Sequence, residues 1–330
     1  MTHKHLLVSA FLLLTLLVTS CQNDDLGSLF PNQKTIITDD LTLPIGLSVD
    51  GKGRIWVSET GTGNNDAQIS VVTQDGQVYP AFTGFASAVS QGGELGGIGH
   101  VLYKDGILYI LEGGTGKLYR ADVSAYKPGD PTRSAQSLAS EDIGTFVRSQ
   151  NLSTPIDSDI YDLTFGPDGD LYIADAGANA IIRRKKDTGA LSVFAKIPNI
   201  NPQVQSVPTG IVFDGNRFLV STLTGFPFST GAAKIVQVTL NGTVSDYRTG
   251  FTMLTNLALT TKNVPVVTEY AQFSLTPPTV GFVPKSGRVA TETGTTLRGG
   301  LEQPTDIERV GEHTYYVLGH GDGTIQRLTY

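Results

Sequence analysis

Acidic and amide side chains recur at equivalent places along this chain. Asp162, Asn256 and Asp306 each open a short apolar segment, and Glu59, Glu112, Asp175 and Glu269 each close the segment that follows. If both places share one rim, six carboxylates and one amide converge there, with Thr222 and His320 completing the circle. Crowded carboxylates repel one another, so some keep their protons unless a cation compensates. Asp, Glu and Asn oxygens suit Ca²⁺ or another divalent cation that retains water. Such an ion polarises a carbonyl, which makes metal-assisted, lactonase-like hydrolysis the catalytic reading, with His100 or His320 as base. The competing reading is structural. Asp175-Ala-Gly-Ala-Asn179 has the make-up of a turn whose Asp and Asn bond their own backbone. His100 occupies a row otherwise filled by Leu47, Leu163, Ile211, Leu257 and Ile307, where a packed, hydrogen-bonded imidazole is the expected outcome. Phe226 and Phe228 sit in a loop after one such segment, suited to stacking on a sugar, meeting a partner protein or capping a channel mouth.

The elements that must position these groups come from an internal repeat. Six segments share one template, starting at residues 46, 99, 162, 210, 256 and 306: an apolar strand, a turn, an aromatic-rich strand ending in a polar residue, then further strand. The intervals suit one four-stranded β-propeller blade per repeat. Asp50-Gly51, Asp105-Gly106, Asp168-Gly169 and Asp214-Gly215 lie between first and second strands, where a tight hairpin needs positive φ. Asp75-Gly76, Thr188-Gly189 and Asn241-Gly242 fit between third and fourth strands. The last repeat has only three strands, whereas residues 34–40 form a lone strand at the other end. That strand is expected to complete the last blade and close the ring, which removes an exposed edge. Residues 124–160 exceed the template, and helical spacing of Ile143, Phe146 and Val147 predicts a short helix near 140–152. Residues 271–300, with Pro277, Pro278 and Pro284, read as an elaborated end of the fifth blade.

Composition agrees with an all-β chain. Thirty-eight Gly in 330 residues fit a fold of many tight turns, and 39% hydrophobic with 17% charged residues excludes a disordered chain. A net charge of −7 argues against a nucleic-acid partner. Gly92–Gly99 is Gly-rich but has no following helix or Lys to cradle phosphate, and reads as a loop. Arg183-Arg184-Lys185-Lys186 reads as a solvated edge.

The N-terminus carries a different signal. The apolar run Leu6–Val18 is too short to span a bilayer comfortably but fits the core of a signal peptide. It ends in Val18-Thr19-Ser20-Cys21, which resembles a bacterial lipobox, and Cys21 is the single cysteine of the chain. Residues 1–20 are therefore expected to be removed, Cys21 to be lipidated, 21–33 to form a tether and 34–330 the propeller. Gln22-Asn23-Asp24-Asp25 resembles the acidic surface-export signal of lipoproteins in the Bacteroidota. These features imply an extracytoplasmic protein anchored to the outer membrane through acyl chains, exposed at the surface or else on the periplasmic face; it is expected to be a monomer.

Val207-Pro208-Thr209-Gly210, Leu223-Thr224-Gly225-Phe226-Pro227-Phe228 with Gly231–Ile235, and Thr249-Gly250-Phe251 resemble the ScyD/ScyE family, named after proteins of a scytonemin biosynthesis cluster. The resemblance covers most of residues 34–330 and implies a secreted six-bladed propeller distantly related to NHL-repeat proteins, without implying an activity. Family members often carry Glu where Thr222 stands here. The functional expectation is a lipid-anchored binding or scaffold module. Its ligand, a small molecule, glycan or protein, or else a cation, would sit at the carboxylate rim; a metal-dependent hydrolase is the alternative.

Overall fold

The computed structural model describes residues 35–89 and 95–330. The signal segment, Cys21, the tether and residue 34 of the closing strand lie outside the described residues, as do residues 92–94 of the Gly-rich stretch. Six sheets form the blades of a β-propeller, each built around four antiparallel strands. The innermost strands are Pro44–Val49, Ile98–Lys104, Ile160–Phe165, Pro208–Phe213, Leu254–Leu259 and Pro304–Arg309, in blades 1 to 6. Each packs beside the innermost strand of the next blade, and the sixth returns to the first.

Closure follows the expected route with a shorter strand. Ile36–Thr38 pairs with Thr324–Thr329 and completes blade 6. Leu41 N then donates to Gly323 O at 3.2 Å as the chain crosses into blade 1. Alternating apolar residues hold the ring because each sheet buries both faces against its neighbours. One hydrophobic cluster fills each of the interfaces between blades; at the closing seam it joins Ile37, Leu41, Leu47, Val57, Tyr316 and Leu318.

Several local expectations change. The Asp-Gly hairpins place Gly106, Gly169 and Gly215 at φ +87°, +75° and +98°, but in blade 1 the left-handed residue is Gly53, not Gly51. The helix is Gly144–Ser149, because Ser140–Asp142 belong to the outer strand of blade 2, Ala139–Asp142, paired with Lys117–Asp122. Cross-strand pairing outcompetes one extra helical turn there. Arg133–Ser134, upstream of that strand, adds to the outer edge of blade 1 in parallel. In blade 5 the elaboration lies between the second and third strands as a small hairpin, Phe273–Ser274 with Gly281–Phe282, and the ordinary strands Gly287–Thr291 and Thr296–Leu301 follow it. The basic run is paired rather than solvated at its first half. Arg183 binds Asp170 at 2.6 Å, and Arg184 binds Glu141 at 2.5 Å.

Candidate functional site

Each innermost strand carries a bulge near its start, where two residues oppose one on the second strand. A bulge re-aims the side chains it contains. The second bulge residue is Gly46, His100, Asp162, Gly210, Asn256 and Asp306 in blades 1 to 6. Repeat two is thus offset by one residue from its sequence alignment: Ile98 pairs with Glu112 and Val101 with Ile110, so His100, not Gly99, occupies the ring position. His100 belongs with the polar residues rather than with the apolar row. A one-residue change of register moves a side chain to the other face.

In a six-bladed ring these positions oppose one another in pairs: glycine with glycine, His100 with Asn256, Asp162 with Asp306. Their side chains meet. Asn256 Oδ1 accepts from Leu257 N at 2.6 Å, which leaves Nδ2 as donor to Asp306 Oδ1 at 2.7 Å and to His100 Nδ1 at 3.0 Å. Asp162 Oδ1 and Asp306 Oδ2 each lie 3.5 Å from His100 Nδ1. With Nδ1 accepting, the imidazole proton sits on Nε2, which has no hydrogen-bond partner among the described residues. The glycines make this approach feasible. A Cβ at Gly46 would stand 2.6 Å from His100 Cα, and one at Gly210 would stand 2.5 Å from Asn256 Oδ1.

The same carboxylates hold the ring together. Asp162 Oδ2 accepts from Ile211 N at 2.9 Å, tying blade 3 to blade 4. Asp306 Oδ2 accepts from Leu47 N at 2.6 Å, tying blade 6 to blade 1. Two residues further along the same strand, on the same face by the period of a strand, Glu308 Oε2 accepts from Val49 N at 2.8 Å. Thr209, Thr255 and Thr305, each the first bulge residue, donate to carbonyls of the following blade. Burial sets the protonation of this centre. It holds the His100 imidazole down to about 3, so the ring is neutral, and it pushes Asp162 up to about 7 and Glu308 up to about 8. Asp306 is pushed well above the carboxylate range by burial and by the nearby Asp162.

The acids at the ends of second strands do not join this cluster. Glu59 accepts from Thr42 N at 2.6 Å, from Gln68 Nε2 at 2.9 Å and from Ser70 Oγ. Glu112 accepts from Ala86 N at 2.6 Å and from Thr115 Oγ1. Asp175 accepts from Ser158 Oγ at 2.7 Å and from the amides of Asp159 and Ala178, both at 2.9 Å. Glu269 forms a two-point pair with Arg288 at 2.9 and 2.7 Å. Each of these side chains braces a blade corner. Among the described residues, no group of three or more His, Cys, Asp or Glu side chains has a geometry that would hold a metal ion.

Above the cluster, on the face where the innermost strands begin, the side chains at the channel mouth are Asp159, Tyr161, Tyr270 and His320, all of them residues with solvent-accessible surface. Tyr161 is the first bulge residue of blade 3, in the row of Thr209, Thr255 and Thr305, and its ring packs on His100 at 4.8 Å. Asp159 precedes it and is pushed up to about 7 by burial and by Asp175 and Asp157, although its side chain keeps solvent-accessible surface. Burial, and after it Asp159 and Tyr270, keep the Tyr161 phenol protonated, and burial pushes Tyr270 up to about 12. His320 lies one residue past Gly319, the residue equivalent to the corner acids. Its Nδ1 donates to Pro44 O at 3.1 Å, its ring stands 6.3 Å from Tyr270, and burial keeps it neutral.

Phe226 and Phe228 join a cluster of rings from blades 4 and 5 on this face. Phe228 lies 5.2 Å from Phe273 and 6.0 Å from Phe282, and Phe282 lies 5.3 Å from Tyr270. Phe226, 63% exposed, stands at the outer end. The loop that carries it is strained: Thr224 has φ +80°, and its buried hydroxyl has no partner among the described residues.

No family model and no curated protein matches the chain. Solved structures do resemble it. A protein of unknown function from Bacteroides thetaiotaomicron aligns at 13% identity and TM-score 0.56, covering 88% of this chain and 70% of that one. A "putative gluconolactonase" aligns at 15% identity and TM-score 0.56, covering 89% and 90%. A streptogramin B lyase aligns at 15% identity and TM-score 0.50, covering 87% and 93%. At such identities the likeness extends to the architecture, and the chain is similar to these proteins as a six-bladed β-propeller.

Proposed function

We propose that the protein is a ligand-binding propeller whose site is the mouth over His100, formed by Asp159, Tyr161, Tyr270 and His320. The observation that carries this reading is that the Tyr161 ring packs on His100 of the closed polar floor at 4.8 Å while Tyr161, Tyr270 and His320 all keep solvent-accessible surface. The floor itself favours binding over chemistry. Both oxygens of Asp162 and of Asp306 already accept backbone amides. A metal-dependent, lactonase-like hydrolase is the second reading, favoured by the name of one similar structure, the "putative gluconolactonase". Metal analysis of the purified protein, followed by lactone turnover with and without EDTA, separates the two. Binding alone predicts no stoichiometric metal and no turnover; EDTA-sensitive turnover would establish the hydrolase.

The resemblance to the ScyD/ScyE family supports a secreted role and adds no chemistry. The apolar run and the Val-Thr-Ser-Cys21 sequence support an extracytoplasmic protein anchored to the outer membrane through lipid on Cys21. Replacing Cys21 with alanine is expected to move the protein from the membrane fraction to the soluble fraction and to abolish metabolic labelling with palmitate. Retention of both would refute the anchor.

A further inference from the structure

The rings on the entry face are continuous with the mouth. From Phe226 the contacts run through Phe228 and Phe273 to Phe282, then to Tyr270, whose ring stands 6.3 Å from His320 of the mouth. Both segments that build this track exceed the blade template, one in blade 4 and one in blade 5. Neither carries a charge: residues 222–233 and 270–284 contain no Asp, Glu, Lys, Arg or His, in a chain of net charge −7. Hydroxyl and amide side chains are interleaved with the rings, among them Thr224, Ser229, Gln272 and Ser274.

The mouth at the inner end carries no cation either, and its one acid, Asp159, is pushed up to about 7. Tyr161 and Tyr270 remain phenols, and His320 is neutral with one nitrogen committed to Pro44 O. Hydrogen-bonding groups without fixed cations, next to exposed aromatic faces, match a ligand with apolar ring faces and many hydroxyls. An anionic ligand would find no cation among these groups, and a purely apolar ligand would leave the mouth groups unpaired, which costs free energy.

We propose that the aromatic track from Phe226 to Tyr270 and the mouth at Tyr161 together bind a neutral oligosaccharide, its rings stacked on the track and one end hydrogen-bonded in the mouth. This rests on the ligand-binding reading of the mouth and names its ligand class.

The test is calorimetric titration of the full-length protein with cellohexaose, maltohexaose and mannohexaose, with hexagalacturonate and phosphatidylcholine vesicles as contrasts. At least one neutral hexasaccharide is expected to bind. Phe226→Ala is expected to weaken it roughly tenfold, the scale of one lost aromatic contact, and Tyr161→Phe is expected to weaken it as well. Phe226 is exposed, so its loss leaves the core intact; matching thermal unfolding of the variant checks this. Binding of hexagalacturonate or vesicles alone overturns the ligand class. If that binding is sensitive to Tyr161→Phe, the mouth remains the site. No binding of any probe overturns the oligosaccharide proposal, and a screen of unrelated small molecules that also finds no Tyr161-dependent ligand removes the mouth as well. Equal affinity of the Phe226 variant for a bound sugar overturns the track.

Discussion

Replacing Asp306 with alanine is expected to destabilise the protein by about 3–5 kcal/mol, more than an ordinary surface change. The carboxyl accepts from Leu47 N at 2.6 Å, from Ile307 N at 2.7 Å and from Asn256 Nδ2 at 2.7 Å, and Asp306 is 4% exposed. Alanine leaves the two amides buried and unpaired and takes from Asn256 Nδ2 one of its two acceptors, and each unpaired group costs about 1–3 kcal/mol. The loss falls on the seam where blade 6 meets blade 1, which is also where Ile36–Thr38 closes the ring. Replacing Thr188, which lies in an exposed turn, serves as the reference. Urea unfolding followed by far-ultraviolet circular dichroism measures the difference. An Asp306→Ala midpoint equal to that of the reference would show that the cluster contributes nothing to closure.

Raising the pH from 5 to 8 is expected to lower stability. Burial raises Asp162 from 3.8 to about 7 and Glu308 from 4.5 to about 8, and raises Asp306 well above 3.8. A group whose folded value is raised contributes stability that is full below its unfolded value and is lost as pH rises through the folded value. Asp162 and Glu308 therefore lose their contributions between about pH 4 and pH 8. His100 acts in the opposite direction. Its value falls from 6.5 to about 3, so its contribution is full above pH 6.5 and is lost as pH falls toward 3. Between pH 5 and 6.5 the folded protein holds protons on four acids, Asp159, Asp162, Asp306 and Glu308, while the unfolded chain holds two on His100 and His320. The acids prevail, at roughly 1.4 kcal/mol per pH unit for each proton of difference. Urea midpoints across this range should fall with pH, and Asp162→Asn with Glu308→Gln should flatten the profile. A midpoint that rises from pH 5 to 8 would contradict the protonated floor.

The same cluster marks the limit of what the repeat can reveal. Its spacing places Asp162, Asn256 and Asp306 at one position, because strand period and turn chemistry are local properties. The spacing does not align His100 with them, since Gly99 matches the glycines of repeats one and four equally well. Only the pairing of Ile98 with Glu112 and Val101 with Ile110 decides between the two. Nor does the rim of acids survive as one set. Glu59, Glu112 and Glu269 find donors among residues of their own or adjoining segments, which spacing between repeats does not encode.

The sequence by itself determined the six blades, the ring closed by its two ends and the equivalence of Asp162, Asn256 and Asp306. These follow from short-range patterning and from the need to cover strand edges. Tertiary structure alone decided which of those positions touch. His100 meets Asn256 across 156 residues of chain, and Leu47 meets Asp306 across 259. It also decided that two uncharged insertions in neighbouring blades form one aromatic track above the floor. The physical reason is the same in each case. A propeller brings distant strands side by side around one axis, so its channel chemistry is a sum over repeats that no single repeat contains.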